Sequence, residues 1–392
     1  MRVLSVTAQK PCSTGSGVYL TEVVRSLAKM GVSQAVVAGV TREDRVDMPE
    51  GVTVYPVEKL PYPVVGMSDE MPYTSTRYRD MTEEMAGQFK AAFLEVLDEA
   101  IEKENPDIIL CHHLYYLTAL IRAHYPAKKV YGFCHNTDLR QMESISFERN
   151  FIRQEIPKLD RIFALQEAQK EKIKKIYPVS EKQMTVIGTG YNSEVFKKTG
   201  IKSSRKDGKI RMIFAGKITQ KKGVKSLLRA LNLLDYEKEK IQLILAGGAG
   251  NLVEYEEIKE LADGCRYPVV FAGCVTQSRL AELYNDCDIF VLPSMYEGLP
   301  LTVIESLACG DRVVMTKLEG IAEWLADMVP DADIRYVLPP GMKGTDEPLE
   351  EELPEFESRL AEALREAIEE KDTKECDVSR ISWQKIAREV IR

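Results

Sequence analysis

Short β-branched and aliphatic runs alternate along the whole sequence with longer stretches of helical periodicity. That alternation constrains the fold more than any other feature. The runs are Val3–Thr7, Ala35–Ala38, Val52–Val57, Ile108–Cys111, Lys129–Cys134, Arg161–Leu165 and Met184–Ile187. After a polar gap come Met212–Ala215, Gln242–Ala246, Val269–Ala272, Ile289–Leu292 and Arg312–Met315. Between them Tyr19–Met30 carries Leu20, Val23, Val24 and Leu27 on one helical face, and a longer helix is expected over Thr76–Glu104. Repeated β-α-β of this kind implies parallel sheets covered by helices on both faces. The gap at Lys197–Gly208 is polar, holds two glycines and lacks apolar periodicity, so it reads as a linker. The expectation is α/β, with two doubly wound domains of similar size, 1–198 and 199–375. Facing each other, they would leave a central cleft lined by loops at the carboxyl ends of the strands.

Composition removes several function classes. With 44% hydrophobic and 29% charged residues the chain is neither disordered nor fibrous. No apolar run approaches the ~18 residues that span a bilayer. The opening Met1-Arg2-Val3-Leu4-Ser5-Val6 reads as a first strand, not as a secretory signal, so a cytoplasmic protein is expected. The net charge is −8. Residues 1–200 carry 26 basic and 26 acidic side chains and residues 201–392 carry 27 and 35, so the excess lies wholly in the second half. Part of it is the run Asp346, Glu347, Glu350–Glu352, Glu355 and Glu357, expected to be solvated. This balance argues against a nucleic-acid partner. The eight cysteines form no CxxC pair and read as buried reduced thiols.

Four segments carry chemistry. Lys10-Pro11-Cys12-Ser13-Thr14-Gly15-Ser16-Gly17-Val18 precedes the first helix. Its glycines would let a phosphate or sugar approach a helix start. A dinucleotide fingerprint would need Gly or Ala where Leu20 stands, and an acid near Val37-Ala38-Gly39-Val40, so NAD is disfavoured. His135, in Cys134-His135-Asn136-Thr137-Asp138, follows a strand at the edge where α/β proteins bind ligands, and His113 is similarly placed. Phe214-Ala215-Gly216-Lys217 with Lys221-Lys222-Gly223 would hang two ammonium groups, Lys217 and Lys222, over the cleft, where they could neutralise a diphosphate. The run Pro293–Gly310 sets Glu297 in a loop, Pro300 at a helix start and Glu305 on the helix. Two carboxylates eight residues apart could grip a polyhydroxylated ligand, with free N–H groups between them.

This last stretch resembles the E-x7-E motif of retaining glycosyltransferases of the GT-B fold, family 4 type. The similarity extends over essentially the whole chain. It takes in Gly15–Gly17, Asn105-Pro106-Asp107-Ile108-Ile109, His135, Ile187-Gly188-Thr189-Gly190-Tyr191-Asn192, Gly216, Lys222-Gly223, Ala246-Gly247-Gly248 and Ser382-Trp383. The resemblance implies that residues 1–198 bind the acceptor, that 199–375 bind a nucleotide-sugar donor, and that 376–392 form a helix crossing back to the first domain. It implies that Glu305 holds the nucleotide ribose and that Glu297 holds donor-sugar hydroxyls. It further implies that Lys217 and Lys222 stabilise the leaving diphosphate, that His135 contacts the sugar, and that Gly17 lets the first domain approach the diphosphate. Gly15, Gly216, Val275, Gly298, Leu299, Pro300 and Leu301 complete the implied donor set. Lys217 stands where the family usually has Arg, and Thr189 and Asn192 depart from its N-G-V-D-like segment.

The implied activity is transfer of a sugar, with retention, from a nucleoside-diphosphate donor (a UDP-sugar by preference) to a saccharide, lipid-linked or small-molecule hydroxyl, in glycan biosynthesis. No cofactor or metal is implied, and Asp286-Cys287-Asp288 and Asp331-Ala332-Asp333 read as structural or solvated. Weighed beside it stand a glycan phosphorylase, a sugar-nucleotide epimerase and a non-catalytic sugar-nucleotide-binding protein. Leu60–Tyr78 is long and irregular, either an acceptor loop or a connection. Ser146–Arg161 mixes Phe147, Phe151 and Ile152 with Arg149, Arg153, Lys158 and Arg161, a pattern that fits a buried helix or peripheral contact with anionic lipid at an inner membrane face.

Overall fold

The computed structural model describes residues 1–11, 13–44, 46–205, 207–344, 347–370 and 376–392. Cys12, Lys206 and Asp346, named above, lie outside the described residues. Two compact units are present: Met1–Gly190 with Ser382–Arg392, and Tyr191–Ile381.

The first unit holds a seven-stranded sheet of β1 (Arg2–Thr7), β2 (Ser33–Gly39), β3 (Thr53–Val57), β4 (Ile108–His112), β5 (Lys129–Phe133), β6 (Arg161–Ala164) and β7 (Met184–Val186). Its order is β3-β2-β1-β4-β5-β6-β7, every pair parallel. The second unit holds β8 (Ile210–Ala215), β9 (Ile241–Ala246), β10 (Val269–Gly273), β11 (Ile289–Leu292), β12 (Arg312–Thr316) and β13 (Ile334–Val337). Their order is β10-β9-β8-β11-β12-β13, again all parallel. Strands covered on both faces read as continuous apolar runs. Leu4, Ile109, Val130, Ile213, Leu243, Ile289 and Val313 are accordingly fully buried. The expected doubly wound α/β architecture is present in both units, and all twelve expected strands form.

Several boundaries differ from the sequence reading. The first helix spans Gly15–Lys29, not Tyr19–Met30, because the Thr14 hydroxyl caps it by accepting from Gly17 N–H at 3.1 Å. Gln9 Nε2 ties the same turn down by donating to Thr14 Oγ1 (3.0 Å) and Ser16 Oγ (2.6 Å). The long helix begins at Glu83, where Thr82 caps it; Thr76–Arg77 instead forms a two-residue ladder with Val65–Gly66. That ladder belongs to Leu60–Tyr78, which is folded inward on Val64, Val65, Met67 and Met71.

The contact boundary lies at 190/191, where the sequence reading put 198/199. Lys197–Gly208 is no free linker: Thr199 N–H and Oγ1 reach Asn285 Oδ1, Lys202 Nζ pairs with Asp311 at 2.5 Å, and Arg205 forks onto Asp288. The chain re-enters the first unit at Ser382, later than 376. There the helix Trp383–Val390 buries Ile386, Ala387 and Val390, and Trp383 meets the Tyr19 ring edge at 4.9 Å. A Cβ on Gly190 would lie 2.4 Å from Trp383 N, so this return needs glycine at 190.

Other assignments acquire partners. Asp288 accepts from Arg205 and from Arg211 N–H, Asp286 pairs with both arginines, and Asp333 pairs with Arg335, which accounts for these acids as structural. Glu357, expected in solvent, is buried against Arg229 at 3.1 Å. Phe147 and Phe151 pack against the first unit's core, Ile152 lies within it, and Arg149 donates to Ile145 O at 2.5 Å. Among the described cysteines, all free, Cys111, Cys134, Cys287 and Cys309 are buried, whereas Cys265 and Cys376 are half-buried and Cys274 is exposed. No described helix is long and apolar enough to cross a membrane.

Candidate functional site

Each unit gathers its candidate residues at the carboxyl edge of its sheet. In the second unit β8 runs into Gly216 and Lys217, and Thr219 then caps a tight turn over Gln220–Lys222. Gly223 follows with φ +73°, a left-handed conformation that strains any side chain. A Cβ there would stand 2.0 Å from the carbonyl oxygen of Pro293, in the loop that follows β11. Met295 N–H donates to Lys221 O at 2.9 Å. Two loops far apart in sequence are thus fastened backbone to backbone.

That fastening brings Lys222 to Glu297. The ammonium Nζ donates to Glu297 Oε1 at 2.6 Å, with side-chain exposures of 27% and 14%. Gly298, Leu299 and Pro300 lead into the helix Leu301–Ala308. Pro300 is its N-cap, not its first helical residue; it gives no side-chain cap, and its carbonyl accepts from Val303 N–H at 3.2 Å. A helix start leaves N–H groups unsatisfied by the helix itself, with the positive end of the macrodipole. Glu305 sits one turn into this helix and is only 6% exposed. Lys217 is half-buried beside Gly216, and Val275 follows β10, two strands along the same edge. The structure therefore brings Lys222 and Glu297 into contact, and places Lys217, Gly298–Leu301 and Glu305 on the loops and helix that flank them. Val275 stands apart.

In the first unit His135 follows β5, and Asn136 (φ +74°) opens the helix Thr137–Ser144. His112 ends the neighbouring β4 and is in register with Phe133. Its Nδ1 lies 3.1 Å from His135 Nε2, with the rings within 10° of parallel. The His113 ring centroid is 4.9 Å from that of His135. Tyr19, on the first helix, sets its ring edge to His135 (5.2 Å), Phe133 (5.5 Å) and His112 (6.3 Å), and donates to Gly188 O at 3.1 Å. The carboxylate of Asp138 accepts from Leu114 N–H (2.7 Å) and His135 N–H (3.3 Å), holding both histidine-bearing segments. Burial pushes His112, His113 and His135 below the ordinary histidine range, strongly for His112 and His135, and each also feels neighbouring imidazoles or, for His113, the opposing pull of Asp138. In each the direction favours the neutral imidazole.

Gly15 and Gly17 are not in a loop. They form the first turn of the helix Gly15–Lys29, and neither has positive φ. Tyr19, half a turn beyond Gly17, carries that turn to His135. Sequence reasoning missed His112 and Asp138 as parts of this cluster. Asp138 had a visible signal, three residues after His135, whereas His112 closes an apolar strand and looks like part of it.

Residues 13–195 match the model of "Glycosyltransferase Family 4" and residues 196–375 that of "Glycosyl transferases group 1". The chain is 29% identical over 172 residues to an uncharacterised glycosyltransferase of Methanocaldococcus jannaschii, an alignment covering 42% of this chain and 44% of that relative. It thus spans less than half the length of that protein. It is 26% identical over 346 residues to a D-inositol 3-phosphate glycosyltransferase of Catenulispora acidiphila, covering 80% of this chain and 76% of the relative. Among solved structures, Anabaena HepE in complex with UDP-glucose superposes with a TM-score of 0.65 at 15% identity, covering 100% of this chain and 98% of that one. At that identity the likeness is one of fold.

Proposed function

We propose that this chain, which belongs to glycosyltransferase family 4 and has the GT-B fold, moves a sugar from a nucleoside-diphosphate donor to a hydroxyl acceptor with retention at the anomeric carbon. Sugar transfer is the family's activity; the donor, the stereochemistry and the acceptor are our reading. UDP-sugar is the donor we favour, since HepE, of like fold, is described with UDP-glucose.

The observation that carries the reading is the Lys222–Glu297 pair beside the uncapped start of the helix Leu301–Ala308. An ammonium group and helix N–H groups suit a diphosphate, and a carboxylate suits sugar hydroxyls. In this reading Lys217 and Lys222 stabilise the charge growing on the departing diphosphate, so the reaction needs no metal. Electrostatic groups fixed in advance around a developing charge are the largest kind of catalytic contribution. Glu297 and the N–H groups of Gly298, Leu299 and Leu301 hold donor-sugar hydroxyls, and Glu305 holds the ribose. In the first unit, His135 is the candidate sugar-binding group and the turn at Gly15–Gly17 the candidate diphosphate-binding group. The acceptor attacks from the side of the leaving group, whose oxygen takes the acceptor proton. Glu297 positions the sugar and does not act as a nucleophile.

A thermal-shift panel of UDP, GDP, ADP, NAD and inorganic phosphate tests this directly. At ~100 times Kd a ligand adds about 2.7 kcal/mol of stability. We expect a shift with one nucleoside diphosphate, followed by turnover of one of its sugars. A shift with NAD alone would refute the reading.

A further inference from the structure

We propose that His112 is a positioning residue that fixes the tautomer of His135: His112 Nδ1–H donates to His135 Nε2, so that His135 meets its ligand as a donor through Nδ1–H. The two nitrogens lie 3.1 Å apart. Desolvation and the neighbouring imidazoles disfavour the charged form of both rings, so one proton is shared across the contact and each neutral ring keeps one proton in total. Only two assignments remain, and hydrogen-bond accounting chooses between them.

If His135 Nε2 were the donor, His112 Nδ1 would be bare and His112 would carry its proton on Nε2. That atom is buried and has no hydrogen-bond partner among the described residues. The result would be an orphaned N–H in an apolar setting, between Phe133 and Tyr19. Orphaned buried donors are rarer than under-satisfied acceptors, because the donor loses a whole hydrogen bond that water would have given. If instead His112 Nδ1 donates, its Nε2 is a bare lone pair and the His112–His135 pair strands no N–H; His113, with both ring nitrogens buried and unpartnered among the described residues, is the same under either assignment. His135 then has Nε2 occupied as an acceptor. Being neutral, it must carry its own proton on Nδ1.

The rest of the cluster holds this arrangement. Strand register sets His112 beside Phe133, Asp138 binds the backbone of both segments, and the Tyr19 ring edge abuts both imidazoles. Of the three histidines at this edge His135 alone is partly exposed, and its hydrogen bonds among the described residues run through Nε2 and the backbone N–H, not Nδ1. The ring therefore offers a hydrogen bond to an oxygen lone pair, such as a sugar hydroxyl, and has no free basic nitrogen. It cannot serve as a general base through Nε2. The identity of the ligand rests on the function proposed above; the tautomer does not.

Selective 15N-histidine labelling of the full chain tests it, since the chain has only four histidines. Long-range 1H–15N correlation spectra of the ligand-free protein at neutral pH, assigned through His112→Phe and His135→Phe, distinguish protonated from bare nitrogens. We expect His112 and His135 both to carry the proton on Nδ1. A proton on His135 Nε2 would overturn the proposal, however active the protein. Sugar transfer gives a second readout. His112→Phe should lower kcat/KM about tenfold, the loss of one oriented hydrogen bond. His112→Asn, whose side-chain amide can sit where Nδ1 was, should recover most of it and restore the His135 Nδ1–H signal. Equal loss in both variants with the His135 tautomer unchanged would mean a merely structural role and sink the proposal. An Nδ1–H signal in a protein that turns over no sugar nucleotide would uphold the tautomer and refute the function instead.

Discussion

Replacing Lys222 by methionine removes one charge and keeps most of the packing volume, so it isolates the contact on which the functional reading leans. The ammonium is 2.6 Å from Glu297, and the two side chains are 27% and 14% exposed. Fully exposed pairs are worth ~0.2–1 kcal/mol. Removing one partner of a fully buried pair costs ~3–5 kcal/mol. This pair lies between those limits, and Glu297 retains some contact with water, so we expect a loss of about 1–2 kcal/mol. For a unit the size of Tyr191–Ile381 that lowers Tm by roughly 2–8 °C. The chain's two tryptophans make the assay specific: Trp383 belongs to the first unit and Trp324 to the second. In a Trp383→Phe background, Trp324 fluorescence reports the second unit alone. A cycle of Lys222→Met, Glu297→Gln and the double variant should give a coupling of about 1 kcal/mol. Adding the bound nucleoside diphosphate should then stabilise the parent more than Lys222→Met, because the diphosphate loses a cation. Coupling below ~0.3 kcal/mol, within the additivity of independent sites, would mean the contact is not held in solution. Equal ligand stabilisation in both proteins would remove Lys222 from the anion site.

Three further outcomes follow from the same geometry. Gly223→Ala puts a Cβ at φ +73° and 2.0 Å from Pro293 O, so it should cost about 2–4 kcal/mol in chemical denaturation and weaken nucleotide binding by moving Lys222. Wild-type stability would show that the two loops are not fastened there. Glu305→Gln should weaken nucleoside-diphosphate affinity about 10- to 100-fold by calorimetry, the value of a charged hydrogen bond, and unchanged affinity would contradict the ribose assignment. Asp311 is buried, and that burial pushes its carboxyl up to about 7 against the pull of Lys202. Because the folded protein binds this proton more tightly than the unfolded chain, the group lowers stability as pH rises from ~4 to ~7. Asp311→Asn should therefore flatten Tm across that window, and an unaltered slope would refute it.

The fold was largely legible because its strands are buried on both faces and read as unbroken apolar runs. The strand of the two large sheets that escaped, Ile334–Val337, lies at the sheet edge, with Arg335 inside it paired to Asp333. Its composition reflects a half-solvated edge, so no apolar run announces it. The start of the first helix was hidden for a different reason. Gly15, Ser16 and Gly17 disfavour helix, but the Thr14 cap and the Gln9 bonds override propensity there. The site residues were visible as chemistry-bearing side chains at strand ends. Their pairing was not, because Lys222 and Glu297 are 75 residues apart and meet only through the adjacency of β8 and β11.

That adjacency has a counterpart in the first unit. Each sheet reverses its order of winding once, between β1 and β4 in one and between β8 and β11 in the other. Open α/β sheets bind ligands at such points, where the loops on either side diverge. The first helix and His112–His113 flank the first point; Lys217–Lys222 and Glu297–Leu301 flank the second. The two differ in charge. The first presents neutral imidazoles and a tyrosine ring, all kept uncharged by burial. The second presents two ammonium groups, two carboxylates and a helix start. Of the two, the second is suited to hold a charged ligand group, because burying a charge against the neutral cluster of the first would go uncompensated. Placing a charge in the neutral cluster should therefore cost stability: an arginine at Tyr19, amid Phe133, His135 and Trp383, would strand a cation among aromatic rings, and an unchanged Tm would refute this.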